Sequence, residues 1–218
     1  LCFTAPEPRP SLEIRPAPCT TQGAVTFGCF QRPGKIHDGV LRVWGQILRE
    51  QPQARPLLKN RGLDKAEVAT PLLARLNAHG VPTRQILLEG ESDREQYLQA
   101  YHQVDVMLDT WPFPGGTTTC EALWMGVPTL TLSGNNLLAR QGAAMMACVG
   151  LEEWIASSEA DYIQRALACA ADPSALAQLR PTLRHRLMTS PLGDAAGFAR
   201  HLEQAFLGMW KASRPDAA

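Results

Sequence analysis

The chain has 218 residues, 45% of them hydrophobic and 19% charged, which is enough apolar material for a buried core and too little charge for a disordered polymer. Lys plus Arg and Asp plus Glu both number 21, so the formal net charge is zero, and this argues against a protein that coats duplex nucleic acid by neutralising phosphates. No apolar run approaches the ~20 residues of a membrane span, and no basic-then-apolar signal peptide opens the chain.

Residues 1–23 are rich in proline (Pro6, Pro8, Pro10, Pro16, Pro18) and read as an extended linker or wrapping arm, with regular structure starting afterwards. Val25–Phe30 reads as a first strand, followed by a Pro-Gly turn. From Asp38, expected as the N-cap, Val40, Val43, Trp44, Ile47 and Leu48 recur at helical spacing up to Pro52. Leu57–Leu58 is a second strand, Ala66–Ala78 a helix closed by Gly80, and Ile86–Leu88 a third strand. A helix over residues 93–101 and a fourth strand, Val104–Asp109, follow. After a Trp-Pro-Phe-Pro-Gly-Gly loop come a helix over Thr117–Trp124, a fifth strand over Val127–Thr131 and a helix over Leu137–Cys148. The remainder reads as helices over residues 158–171, 174–188 and 194–212.

Strands that alternate with helices imply crossover connections and a mostly parallel sheet covered on both faces, a Rossmann-like α/β fold. The expected organisation is an arm over 1–23, a Rossmann-like ligand-binding domain over 24–190, and a C-terminal helix over 191–218. That helix would pack back on the domain or on a domain preceding it. In such sheets ligands bind outside the carboxyl ends of the strands, and this selects the loops to read for function.

The strongest candidate is Gly115-Gly116-Thr117-Thr118-Thr119-Cys120-Glu121, after the fourth strand. Gly115 and Gly116 let the backbone approach a ligand closely. The first turn of the helix offers free N–H groups and a partial positive charge, and the hydroxyls of Thr117, Thr118 and Thr119 add donors, which together suit a phosphate. Glu121 lies one turn along and suits ribose hydroxyls. Spacing alone leaves a plain helix cap open as the other reading. Neither a G-x-G-x-x-G run after the first strand nor a P-loop occurs. Arg32 and Lys35, after the first strand, sit at the same end of the sheet, where Lys35 can place a point charge and Arg32 a fork on a diphosphate, or both form a solvated turn. Lys59, at the end of the second strand, is a weaker candidate of the same kind. The Glu89–Asp93 loop, with Ser92, can offer backbone groups to a nucleobase.

The six cysteines, Cys2, Cys19, Cys29, Cys120, Cys148 and Cys169, form no C-x-x-C pair, and no histidine cluster accompanies them. They read as reduced thiols of a cytoplasmic protein, with no metal site. His37, His79, His102, His185 and His201 are scattered, and no nucleophile elbow supports a Ser/His/Asp triad.

Three segments together resemble a known family: Phe30–Ile36, Asp105–Thr110 and Gly115–Thr129. They are similar to the C-terminal catalytic half of O-linked N-acetylglucosamine transferases, most closely the bacterial SPINDLY-like members that carry tetratricopeptide repeats upstream. The resemblance covers residues 24–212. It implies a GT-B glycosyltransferase whose C-terminal domain holds UDP-N-acetylglucosamine, with inverting, metal-independent transfer to Ser or Thr of proteins. It makes Lys35 the phosphate-binding lysine, Thr117 and Thr118 the diphosphate threonines, Glu121 the acidic ribose ligand, and Ser92 part of the loop that meets uracil through its backbone. Arg32 falls where the family often has Gln or Asn, and Gly116 where animal members have His. The chain begins at Leu1, and the family's N-terminal catalytic domain and repeats are not in it. The expectation is therefore a donor-binding half that does not transfer sugar alone. The alternatives are another UDP-sugar GT-B transferase, or a non-catalytic nucleotide-binding or interaction module.

Overall fold

The computed structural model describes residues 2–213. Six parallel strands form one sheet: β1 (Thr26–Cys29), β2 (Arg55–Lys59), β3 (Leu87–Glu89), β4 (Val106–Leu108), β5 (Thr129–Leu132) and β6 (Ile155–Ala156), in the order β3-β2-β1-β4-β5-β6. The Rossmann-like sheet expected from the alternation of elements is therefore the observed fold. The sixth strand was missed because two residues, Ile155 and Ala156, carry no periodicity to read.

The helices are α1 (Cys19–Gln22), α2 (Asp38–Glu50), α3 (Ala66–Ala78), α4 (Arg94–Gln99), α5 (Thr117–Trp124), α6 (Gln141–Cys148), α7 (Glu159–Ala171), α8 (Pro173–Leu179), α9 (Leu183–Thr189) and α10 (Ala195–Ala212). The apolar stripe of α2 is buried along its length, from Val40 and Leu41 through Val43 and Trp44 to Ile47 and Leu48. Its cap differs from expectation. His37 is the N-cap, its Nδ1 accepting from Gly39 N at 3.0 Å, while Asp38 is the first helical residue and pairs with Arg75 at 2.7 Å. The single helix expected over 174–188 is α8 and α9 with a 3-10 turn, Arg180–Thr182, between them, where Pro181 supplies no N–H for a helical bond.

β1 is buried on both faces, so it reads Thr-Phe-Gly-Cys without polar alternation. A side chain at Gly28 would meet Val104 Cγ1 at 2.7 Å and Met107 Sδ at 2.8 Å, so the close approach of β4 requires glycine there.

Regular structure begins earlier than expected: within the first 23 residues Pro10–Leu12 is a 3-10 turn and α1 is a short helix. The arm is held by burial of Phe3, Leu12, Ala17 and Cys19, and by Phe3 N donating to Leu192 O at 2.7 Å. Arg180, 2% exposed, locks it in place. Its guanidinium donates to the carbonyls of Arg15, Val104 and Tyr101 at 2.8, 2.6 and 3.1 Å. At the other end of the chain, α10 leaves Phe198, Leu202, Phe206, Leu207 and Met209 exposed and buries only Gly197, so along most of its length it does not pack back on the sheet domain. Residues 214–218 of the expected C-terminal segment lie outside the described residues.

No helix among the described residues is long and apolar enough to cross a membrane.

Candidate functional site

In the strand order, the connections after β1 and β4 leave toward opposite sides of the sheet. The crevice between their carboxyl ends is the topological switch point, where this architecture accepts ligands. The two strongest candidate loops both open there.

After β1, the chain turns through Pro33–Lys35, a 3-10 turn closed by Lys35 N donating to Arg32 O at 2.9 Å. The turn aims Lys35 across the crevice. Its Nζ donates to Pro114 O and to Gln31 Oε1, each at 3.0 Å, and stands 4.0 Å from the Phe113 ring centroid. Burial lowers the Lys35 pKa, and the nearby Asp109 carboxylate opposes that shift.

After β4, the loop is drawn around Asp109. This side chain, 2% exposed, accepts at Oδ1 from Gly115 N at 2.7 Å and Thr110 N at 2.9 Å, and at Oδ2 from Thr131 Oγ1 at 2.8 Å. Burial pushes its pKa up to about 6 in spite of those three donors and Lys35. The loop is closed further by Thr110 Oγ1 donating to Phe113 O at 2.8 Å. On the rim, His37 Nε2 contacts Trp111 O at 2.6 Å. Because its Nδ1 already accepts from Gly39, Nε2 is the donor.

The loop ends at Gly116, which precedes α5, and the helix runs over Thr117–Trp124 as the sequence predicts. The N–H groups of Thr117 and Thr118 have no acceptor among the described residues and open on the crevice end of the helix. The three threonines diverge. Thr117 is exposed. Thr118 is half-buried and accepts from Gln31 Nε2 at 2.7 Å. Thr119 is buried, and its Oγ1 has no hydrogen-bond partner. Gln31 thus touches Lys35 with its oxygen and Thr118 with its nitrogen, so one side chain spans the cation and the helix start. Gly115 is walled in: a Cβ there would lie 2.4 Å from Gln31 Nε2 and 2.6 Å from Thr119 Oγ1.

Glu121 lies one turn along α5, 3% exposed, with Arg94 Nη1 at 2.6 Å from its carboxylate and a hydrogen bond from Tyr97. Burial raises its pKa and Arg94 opposes the rise. Tyr101 donates to Thr118 O at 3.1 Å, which ties α5 to the segment after α4.

Lys35, Gly115, Gly116, Thr117 and Thr118 are therefore brought to one crevice, with Thr119 beneath it and Glu121 beside it. Arg32 is exposed and makes no side-chain hydrogen bond within the described chain. Ser92 lines a cleft of about 390 Å³ with Lys59, Glu89, Gln96 and His102, a lining that shares no residue with the Lys35–Thr118 cluster. Lys59 is buried there, donating to Glu89 at 3.1 Å and Gly90 O at 3.2 Å. The sequence reading missed Gln31, Asp109 and Arg94. The available signal for Asp109 was a carboxylate closing an apolar strand six residues before a glycine. Gln31 and Arg94 were missed because the partners that tie them to α5, Thr118 and Glu121, are 87 and 27 residues away. Among the described residues no group of three or more His, Cys, Asp or Glu side chains is arranged to hold a metal ion.

The model of glycosyl transferase family 41 matches residues 13–202. The chain belongs to that family. A probable UDP-N-acetylglucosamine–peptide N-acetylglucosaminyltransferase SPINDLY of Solanum lycopersicum is 38% identical over 97% of the chain. The Arabidopsis thaliana protein of the same description is 36% identical over the same share. The O-GlcNAc transferase of Thermobaculum terrenum superposes with a TM-score of 0.87 at 35% identity, over 97% of this family 41 chain and 40% of that one. The chain spans about a quarter of the length of the plant relatives, 23% of each. An Anabaena protein in complex with UDP and glucose shares the fold at 14% identity, with a TM-score of 0.58 over 85% of the chain.

Proposed function

We propose that this family 41 chain is the donor-binding domain of a protein O-GlcNAc transferase-like enzyme and takes UDP-N-acetylglucosamine in the crevice between β1 and β4. The observation that carries the reading is the convergence of Lys35 and the free end of α5 on one side chain, Gln31. A diphosphate that displaces Gln31 meets an ammonium from one side and helix N–H groups from the other. The same groups stabilise the charge that develops on the leaving nucleoside diphosphate, which makes Lys35 the catalytic residue of this domain. Thr117 and Thr118 supply N–H and hydroxyl donors to the phosphates, Gly115 and Gly116 the close approach, and Thr119 shapes the floor.

For Glu121 to serve a ribose, its carboxylate must accept from ribose hydroxyls while keeping Arg94, and Arg94, more than half exposed, can swing to allow it. The backbone of the loop that carries Ser92 would meet the base, although the Ser92 side chain lines the separate cleft with Lys59, and the exposed Arg32 would add a cation at the phosphates. In this reading no metal takes part, the transfer inverts the anomeric centre, and a preceding domain supplies the base and receives the Ser or Thr of an acceptor protein. The domain works in the cytoplasm and needs neither nucleic acid nor membrane.

Calorimetric titration with UDP, UDP-N-acetylglucosamine and UDP-glucose tests the reading. Micromolar UDP binding, lost at least tenfold in Lys35→Ala, is the expected result; tenfold is about 1.4 kcal/mol, the scale of one charge-assisted contact. No binding of any of the three at millimolar concentration overturns it. A preference for UDP-glucose moves the chain to a different donor, and transfer by this chain alone overturns the assignment of the base to another domain.

A further inference from the structure

We propose that Asp109 is a positioning residue that couples donor binding to the uptake of a proton: its carboxylate braces the phosphate loop from beneath, and an anionic diphosphate bound above it is held more tightly once that carboxylate is protonated. The inference rests on the donor-site reading above and adds a regulation of that site.

The geometry is specific. Oδ1 takes both loop amides, Thr110 N and Gly115 N, while Oδ2 takes only the Thr131 hydroxyl. A proton on Oδ2 keeps all three hydrogen bonds, because the Thr131 hydroxyl rotates to accept instead of donate. Protonation thus removes the charge and leaves the loop in place. α6 packs its glycine on this side: a Cβ at Gly142 would lie 2.3 Å from Thr131 Oγ1 and 2.7 Å from Asp109 Oδ2, so no water-sized space remains to solvate the anion.

The ionisable groups around Asp109 are few. From the β1 side come Lys35 and the Cys29 thiol. From α7 comes Tyr162, whose hydroxyl donates to Asp109 O at 3.1 Å. Burial pushes the Cys29 thiol up to about 12 and the Tyr162 phenol well above its usual range, so both stay neutral, and neither β5 nor α6 brings a charge. Lys35 is the cation that acts on Asp109, and a bound diphosphate would draw that same ammonium. Ligand binding therefore removes the attraction that holds the carboxylate ionised and adds like charge above it. Both effects raise a pKa that burial has already brought to about 6.

The test is calorimetry with UDP-N-acetylglucosamine, whose diphosphate is esterified at both ends and has no titrating terminal oxygen, unlike a phosphate monoester with its pKa of about 6. Titration at about pH 7 in two buffers of different ionisation enthalpy should show net uptake of a fraction of a proton, and affinity should weaken about tenfold between about pH 5.5 and pH 8, the equivalent of one unit of pKa shift. Asp109→Asn should abolish the uptake and bind more tightly than the native chain at the upper pH. Thr131→Val, which removes a donor that favours the anion, should move the transition to higher pH. Should Asp109→Asn fail to fold, that shift still decides the matter. Binding with no proton uptake, or an uptake that survives Asp109→Asn, overturns this inference alone. No binding at any pH overturns the donor-site reading and this inference with it.

Discussion

Gly115 lies between the Asp109 carboxylate, which accepts its N–H at 2.7 Å, and the Gln31 amide nitrogen, 2.4 Å from where its Cβ would be. The loop is fixed from one side by a hydrogen bond and from the other by the lack of space.

Gly115→Ala is therefore expected to displace Gln31 and break its bond to Thr118. The overpacking should cost about 1–3 kcal/mol in urea unfolding. Gly116→Ala is the contrast, because its new methyl meets only the end of the Gln141 side chain. It should stay within about 1 kcal/mol of the parent, near the usual scatter for a tolerated change. Equal losses for the two variants would refute the crowding argument.

Asp109 also makes stability depend on pH. Its folded pKa is raised from 3.8 to about 6, so the folded chain binds the proton more tightly than the unfolded one. The stability this confers is fully present below about pH 4 and is lost as pH rises through about 6, by on the order of 3 kcal/mol. Asp109→Asn should match the parent near the acid end of that window and exceed it in stability near neutrality. Denaturant melts at the two ends measure the difference, and a constant offset would refute it.

Arg94→Met strands a buried carboxylate. Glu121 is 4% exposed at its side chain while Arg94 is 58% exposed, so solvent already screens the cation and the loss should be modest, about 1–2 kcal/mol at neutral pH. Burial raises the Glu121 pKa, so the destabilisation should shrink as pH falls and the carboxyl takes up a proton. Glu121→Gln combined with Arg94→Met should recover part of it. A loss that is independent of pH would point to packing instead of charge.

Arg180 gives a control that makes no hydrogen bond to the residues of the crevice. Arg180→Met leaves the carbonyls of Arg15, Val104 and Tyr101 without their donor in a buried setting, at a cost of about 2–4 kcal/mol. The arm should become susceptible to proteolysis, and UDP affinity should be unchanged where the chain remains folded. Limited digestion and calorimetry on the same sample separate the two effects.

Much of the fold was legible because its signals are local. The bounds of α5 follow from a Gly-Gly break before three helix-opening threonines, and those of α2 from the spacing of Val40, Val43, Trp44, Ile47 and Leu48. What failed was either too short to carry a period, as with β6 and α1, or decided by contacts from elsewhere. The N-cap of α2 is such a case: Asp38 fits the cap rule, yet Arg75 engages it and His37 takes the role.

The sequence by itself determined that a glycine-threonine helix start and a lysine turn lie at the carboxyl ends of two strands, because strand alternation and turn chemistry are written in neighbouring residues. Only the tertiary structure decided that these two places face each other. Strand order sets β1 beside β4, and Gln31 and Thr118 meet across 87 residues of chain. It also decided that Asp109 lies buried under the loop, that Glu121 is paired with Arg94, and that Ser92 and Lys59 belong to a different cleft. Side-chain partners and burial depend on how distant segments pack, and no local pattern encodes that.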